Sequence, residues 1–399
     1  MNAPSAGTDT GATDAARLSR LLQYIEQDAG NLNLREEAIR EACDRRHWET
    51  ALRLIEAGLL NHPNEPRLVR ISGAVYLSLG RYQDAERALA TVLEHGWESP
   101  ELHYNLAFSL FMQTRYADAL QRLTPAVEKQ LPVAIVLRAR CLHHLGDVAE
   151  AIGECRRCVA LVPEDSDANG LLALLLYESG QVEAVNQHVR TALRSNPLQL
   201  EALLSQASMQ FDAKELSGTR ASFKALLQAH PRCGRAWFGV ALLDISQMQL
   251  EAARYAIELA AALMPTHIGS WHVLAWLHIM MGEVTAASTA FDRALQLDRT
   301  FGETHGGLAV VAALQGYEEQ ARLYIKRALR LDPQGMAVQY ARLLLLQRQG
   351  QHESARVILD AFLARPVGRG DAKYRDVVAS HMRYLHAVLA RPPEHGKLQ

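Results

Sequence analysis

A chain of 399 residues is longer than one ordinary hydrophobic core supports, so it holds either several globular domains or a repeat array with a continuous core. Its 49% hydrophobic content excludes a disordered chain, and the dominance of Ala, Leu, Arg, Glu and Gln favours helix. With 42 basic and 44 acidic residues the net charge is −2, and no excess of positive charge exists to attract phosphate backbones or anionic lipid, so nucleic acid is not an expected partner.

Residues 1–17 are rich in Ala, Thr, Gly, Ser and Asp and read as a flexible tail. They contain no basic region before Arg17 and no apolar core of a secretory signal. Residues 18–31 begin a helical pattern with Leu18, Leu21, Leu22 and Ile25 on one face, which is assigned as an N-terminal capping helix. From Leu32 to residue 369 the chain repeats. Pro163, Pro197, Pro231 and Pro265 fall at steps of 34, and Pro333 falls two further steps on, each closing an apolar-periodic segment. Ten units begin at Leu32, Pro66, Pro100, Pro132, Ser166, Leu200, Gly234, Ile268, Gly302 and Met336. The unit at Pro100 has 32 residues, a shortfall expected to tighten the turn after Lys129.

Three columns recur within the units. Gly73, Ala107, Ala139, Ala173, Ala207, Ala241, Ala275 and Ala309 form one, where two helices touch. Ala51, Ala85, Ala119, Ala151, Ala253, Ala287, Ala321 and Ala355 form another. A large-apolar column runs through Ile55, Leu89, Leu123, Val189, Phe223, Ile257, Phe291, Ile325 and Leu359. Gly80, Gly146, Gly180, Gly282, Gly316 and Gly350 sit between the two helices of their units, where a left-handed C-cap is expected. Departures fall at Lys214 and Thr219 in the sixth unit and at Leu343 in the tenth. After Pro366 a Gly-rich break leads to a last amphipathic pattern over about residues 372–390, with Val377, Val378, Met382, Leu385, Val388 and Leu389. Residues 370–399 are assigned as a C-terminal capping helix and tail.

This pattern resembles the tetratricopeptide repeat. Trp271, Leu274, Ala275, Ala287, Phe291 and Ala294 carry it in the eighth unit, and Gly73, Tyr76, Gly80, Tyr82 and Ala85 in the second. The resemblance implies an all-α right-handed α-solenoid of about ten helix-turn-helix units with helical caps and a long concave surface. It also implies that positions 2, 5, 9, 12 and 13 of each unit line a partner groove. Those positions include Tyr104, Phe108, Phe111, Met112, Arg140, His143 and His144 in units three and four. They include Tyr177, Glu178, Phe211 and Asp212 in units five and six, and Phe238, Leu242, Ile245, His272, Trp276, Ile279 and Met280 in units seven and eight. Large apolar side chains on a face that packing does not need mark interaction sites. The expected ligand is therefore an extended or helical protein segment. Chaperone-binding members of the family grip a C-terminal carboxylate with Lys and Asn; here Asn105 matches, but Ala74, Val133 and Leu137 stand where the other gripping residues belong, so that clamp is not expected.

Other chemistry finds little support. Cys155 and Cys158 share a helix face but occupy columns filled elsewhere by Val, Leu or Ala, and no second pair completes a zinc site. His143 and His144 are adjacent and diverge by about 100° on a helix. His278 occupies a column usually filled by a packed residue. Glu36, Glu37 and Asp118 lack a second group to poise them as acid and base. Neither a phosphate loop, a nucleophile elbow nor a metalloprotease motif occurs in the chain. No catalytic residue, cofactor or metal is expected, and the longest apolar run, Leu171 to Tyr177, is too short to span a bilayer. The five cysteines are few and odd in number, which fits a reducing, cytoplasmic setting. The expected function is a protein-binding scaffold or adaptor. The resemblance extends this to a chaperone or assembly factor of a bacterial multiprotein machine such as a secretion system. The alternatives are a self-assembling homo-oligomer and a non-catalytic regulatory subunit of a partner enzyme.

Overall fold

The computed structural model describes residues 10–63 and 65–365, with side chains from Arg17 onward, Phe362 apart. It is all-helical among those residues. An opening helix, α1 (Thr10–Gln27), begins at Thr10 instead of Leu18, because Ala12, Ala15 and Ala16 extend it at no cost in propensity. The expected cap over residues 370–399 lies outside the described residues.

Ten helix pairs follow. They are α2 (Leu32–Asp44) with α3 (Trp48–Asn61), then α4 (Pro66–Ser78) with α5 (Tyr82–Glu94). In the third unit α6 (Pro100–Met112) is followed by two short helices, α7 (Tyr116–Arg122) and α8 (Pro125–Gln130). Next come α9 (Val133–Leu145) with α10 (Val148–Leu161), and α11 (Ser166–Glu178) with α12 (Val185–Ser195). The sixth to eighth units are α13 (Leu200–Asp212) with α14 (Leu216–Ala229), α15 (Gly234–Ser246) with α16 (Leu250–Leu263), and α17 (Ile268–Met280) with α18 (Val284–Leu297). The last are α19 (Gly302–Gln315) with α20 (Glu318–Leu331), and α21 (Met336–Arg348) with α22 (His352–Leu363). The array divides into two compact units, residues 1–209 and 210–399, the division falling within α13.

The shortened third unit accommodates its deficit differently from the expectation. Its second helix is split at Leu123–Thr124, because Pro125 has no N–H to continue the ladder and starts a new helix instead. Leu123 is still buried, so the core column is kept across the break.

The turn between the two helices of each unit is left-handed in all ten. Gly80, Gly146, Gly180, Gly282, Gly316 and Gly350 supply it in six, with φ from 70 to 91°. Arg46, Thr114, Lys214 and Met248 adopt it in the other four, with φ from 56 to 63°. The turn is therefore imposed by the packing of the pair, even where the residue resists it.

Both small-residue columns are buried throughout. Thr219, the departure in the sixth unit, is fully buried and donates its hydroxyl to the Glu215 carbonyl at 3.0 Å. The large-apolar column is buried from Ile55 to Phe291, whereas Ile325 is half-buried and Leu359 is 40% exposed.

A second repeating device ties the first helix to the loop before it in six of the ten units. Arg35, Asn169, Trp237, Trp271, His305 and Gln339 all stand fourth in their units. Each donates a side-chain N–H to the carbonyl six residues earlier, on Ala29, Pro163, Pro231, Pro265, Arg299 and Pro333, at 2.7 to 2.9 Å. Five residue types satisfy one backbone acceptor, so the geometry is kept while the chemistry varies. For His305 the acceptor is a carbonyl, which places the proton on Nε2.

Candidate partner groove

In the first compact unit, residues 1–209, the first helices of successive repeats, α2, α4 and α6, form an open trough. One part, of about 440 Å³, is lined by Arg40 and Cys43 on α2, Arg70, Ile71 and Ala74 on α4, and Glu101, Leu102 and Asn105 on α6, with Glu36 and Ser99 at its edge. The adjoining part, of about 420 Å³, is lined by Ala74, Leu77 and Ser78 on α4 and by Tyr104, Asn105 and Phe108 on α6. Ala74 and Asn105 belong to both. Ala74 and Ser78 are the reason for the trough: small side chains on α4 lie beside the large Tyr104 and Phe108 on α6.

Charges in the trough are balanced in number and unequal in engagement. Glu36 accepts from Arg40 at 3.3 Å and pairs with Arg67 at 3.6 Å. Glu101 accepts from its own backbone N–H and from Ser99, which hold its carboxyl below the usual range. Arg70 is exposed and forms no ion pair or side-chain hydrogen bond with the described residues, and the half-buried Asn105 amide likewise forms none.

Tyr104 is half-buried, and burial raises its phenol pKa against the opposing pull of Arg140. Arg140 donates to Glu201 at 2.8 Å and stands 4.0 Å from Asp167. These contacts make Arg140 an internal tie between α9, α11 and α13. Phe111 belongs to a separate aromatic cluster, 5.5 Å from Tyr116 and 5.6 Å from His144, with Tyr116 and His144 stacked at 4.5 Å. Met112 is 40% exposed beside it in sequence. His143 meets Glu178 at 2.8 Å. Tyr177 packs on the core around α9 to α12.

In the second compact unit, residues 210–399, several predicted groove residues pack against side chains outside the predicted set. Phe238 stands edge-on to His267 at 5.4 Å. Trp276 packs on Phe291 at 5.9 Å and reaches Tyr340 at 6.2 Å. Between them α19 carries Gly306, Gly307, Ala309, Ala312 and Ala313, and residues 304–313 are all buried. The aromatic side chains of α17 and α21 thus meet across a helix of small residues. His272 donates to or accepts from Thr304 at 2.8 Å between the rings of Phe291 and Phe301, and burial pushes its pKa down to about 4. Phe211 is half-buried, and Met280 is 46% exposed.

Of the eighteen groove residues named from the sequence, the trough gathers only Tyr104 and Phe108. Arg70 and Leu77 fall at predicted positions 5 and 12 of the second unit and Arg40 at position 9 of the first, although none was singled out, whereas Ile71, at position 6, was missed. The step from Ala74 and Ser78 to Phe108 and Met112 at matching repeat positions is the sequence signal that points to them. The thiols of Cys155 and Cys158 are fully buried, which pushes their pKa values up to about 12 and about 11. His278 meets Glu283 at 2.6 Å. Among the described residues no group of His, Cys, Asp and Glu could hold a metal ion, and no helix is long and apolar enough to cross a membrane.

Comparison with known proteins agrees with this architecture. The tetratricopeptide repeat family model matches residues 37–100, 104–166 and 272–336. Tetratricopeptide repeat protein 16 of Homo sapiens is 26% identical over 231 residues, covering 53% of this chain and 25% of that protein. Its Macaca fascicularis counterpart is 25% identical over the same span, so the chain spans about a quarter of the length of the curated relatives it matches. Among solved structures, a human IFIT1 dimer with m7Gppp-AAAA aligns with a TM-score of 0.55 at 17% identity, over 96% of this chain and 95% of that one. The APC/C hetero-tetramer Cut9-Hcn1 aligns with a TM-score of 0.58 at 16% identity, over 95% and 82%. At these identities the structural likeness concerns the fold. The 34-residue period, the ten helix pairs and these matches agree: the chain is a tetratricopeptide repeat protein.

Proposed function

We propose that the protein is an interaction scaffold that holds a segment of a partner protein in the trough over α2, α4 and α6. The observation that supports this reading is the trough itself, an open apolar floor at Ala74 and Leu77 beside the aromatic residues of α6 and the arginines of α2 and α4. Packing does not require such a surface, and a peptide with apolar anchors fits it. Two arginines against two glutamates give no net positive charge at the trough, which favours a protein segment over a phosphate backbone. The Cut9-Hcn1 assembly offers a parallel, a chain of this fold in a hetero-tetramer with a second protein. The finer form of the reading, a chaperone or assembly factor for a multiprotein machine in the cytoplasm, follows from the family resemblance.

The test fills the trough without disturbing the core. Ala74 is exposed, so Ala74→Trp should fold like wild type and obstruct the floor. A partner captured from lysate by wild type, and lost with both Ala74→Trp and Phe108→Ala, supports the reading. Capture unchanged by both variants rejects it, and capture of only this chain itself puts self-assembly in its place.

A further inference from the structure

The polar groups of the trough indicate what kind of segment it accepts, provided that the groove reading holds. Both carboxylates that line it already have partners: Glu36 has Arg40 and Arg67, and Glu101 has its own N–H and Ser99. Arg70 and Asn105 have none among the described residues, although both line the same part of the trough. Arg70 and Ala74 lie four residues apart on α4, so they share one helix face. Asn105 and Phe108 lie three apart on α6 and also share one. The unengaged donors therefore adjoin the apolar floor.

We propose that the trough selects a segment in which an acidic side chain is followed closely by a large apolar one. The carboxylate takes the hydrogen bonds of Arg70 and Asn105, and the apolar side chain lies over Ala74 and Leu77 against Phe108. A basic side chain at the same place would meet carboxylates that are already paired, and would face Arg70 directly. A neutral amide could accept one hydrogen bond from Asn105 but would leave the guanidinium without a counter-charge. A carboxylate satisfies both donors, and charge-assisted bonds of this type are stronger than neutral ones. The recognised group is a side chain within a segment, because Ala74, Val133 and Leu137 stand where the family's clamp would grip a chain terminus.

The probe is a set of three blocked peptides, N-acetylated and C-amidated, built from Leu, Phe and Ala and differing only in one position, Glu, Gln or Lys. Binding to the full chain is read by fluorescence anisotropy. The Glu peptide should bind roughly three- to tenfold more tightly than the Gln peptide, and the Lys peptide most weakly. The preference should shrink as salt is raised. In Arg70→Glu the order should reverse, with Lys tightest; Arg70 is exposed, so this variant should keep the wild-type melting curve. In Phe108→Ala all three peptides should weaken together while the order is kept. Equal binding of the Glu and Gln peptides to wild type, or an unchanged order in Arg70→Glu, overturns the proposal; loss of all three with Phe108→Ala would then leave the groove reading standing. Binding of none of the three overturns both. If sedimentation shows that wild type self-associates and Arg70→Glu is monomeric, the occupant is a second copy of the chain and the proposal fails.

Discussion

Gly307 and Phe291 show how single residues of this array are fitted to one another. A Cβ at Gly307 would stand 2.3 Å from the Phe291 ring, and a Cβ at Gly239 would stand 2.2 Å from Phe223. Phe223 and Phe291 are the two phenylalanines of the large-apolar column, and the residue opposite each, sixth in the next repeat, is glycine. Beside Ile55 and Leu89 the same position holds Ile71 and Asn105. Large and small are matched in pairs, as close packing demands. Gly307→Ala should therefore destabilise the chain by about 1–3 kcal/mol in urea unfolding, and adding Phe291→Leu should recover most of the loss. If the double variant is no more stable than Gly307→Ala alone, the clash is not the cause. The four left-handed turns without glycine carry the opposite signature. Lys214→Gly and Met248→Gly should each raise stability by about 0.5–1 kcal/mol, since relief of the left-handed strain exceeds the entropy that glycine adds to the unfolded chain. Urea midpoints that fall in both variants would reject that balance.

At the scale of the element, the helices are begun and ended by local chemistry and fixed in place by the fourth-residue clasp. Asn31, Ser99 and Asp165 cap α2, α6 and α11, each accepting the N–H three residues on. The clasp then ties the first turn to the preceding loop, so that the loop carbonyl is not left unpaired. Trp271→Phe keeps the ring and removes the donor to Pro265. It should cost about 1 kcal/mol, with faster amide exchange at the start of α17 than at α19. Uniform change along the chain would mean that the bond does not act locally. The split of the third unit's second helix was legible in Pro125, whose effect the repeat register obscured. The clasp was not legible, because Arg, Asn, Trp, His and Gln share no property except a donor long enough to reach.

At the scale of the whole molecule, burial of histidines couples the fold to pH. Burial lowers the pKa values of His188, His267 and His272, with Arg156 and Arg235 adding to the first two. A depressed folded pKa means that the unfolded chain takes up a proton first as pH falls. For His272 the stabilisation is intact above about pH 6.5 and is lost as pH falls towards 4. The loss is roughly 3 kcal/mol when complete. Urea midpoints measured from pH 7 down to 4.5 should fall, and His272→Gln should flatten that slope. An equal slope in the variant would assign the acid sensitivity to other groups. His272, Trp276 and Phe238, which read as groove residues in sequence, are half-buried and pack on Phe291, Tyr340 and His267. A repeat position states which way a side chain points from its own helix, but whether that direction meets solvent depends on the neighbours.

The amino-acid sequence by itself determined the family, the helix pairs and the buried columns. These depend on local propensity and on a 34-residue period in which each helix pair buries its apolar face against the next. Tertiary structure alone decided where a groove stays open. The small residues of α19 let Trp276 and Tyr340 meet, whereas Ala74 and Ser78 left room beside Phe108. In both places small residues lie near aromatic ones, and the outcome turns on whether the large side chains on either side can span the gap, a matter of distances between repeats that no single repeat encodes.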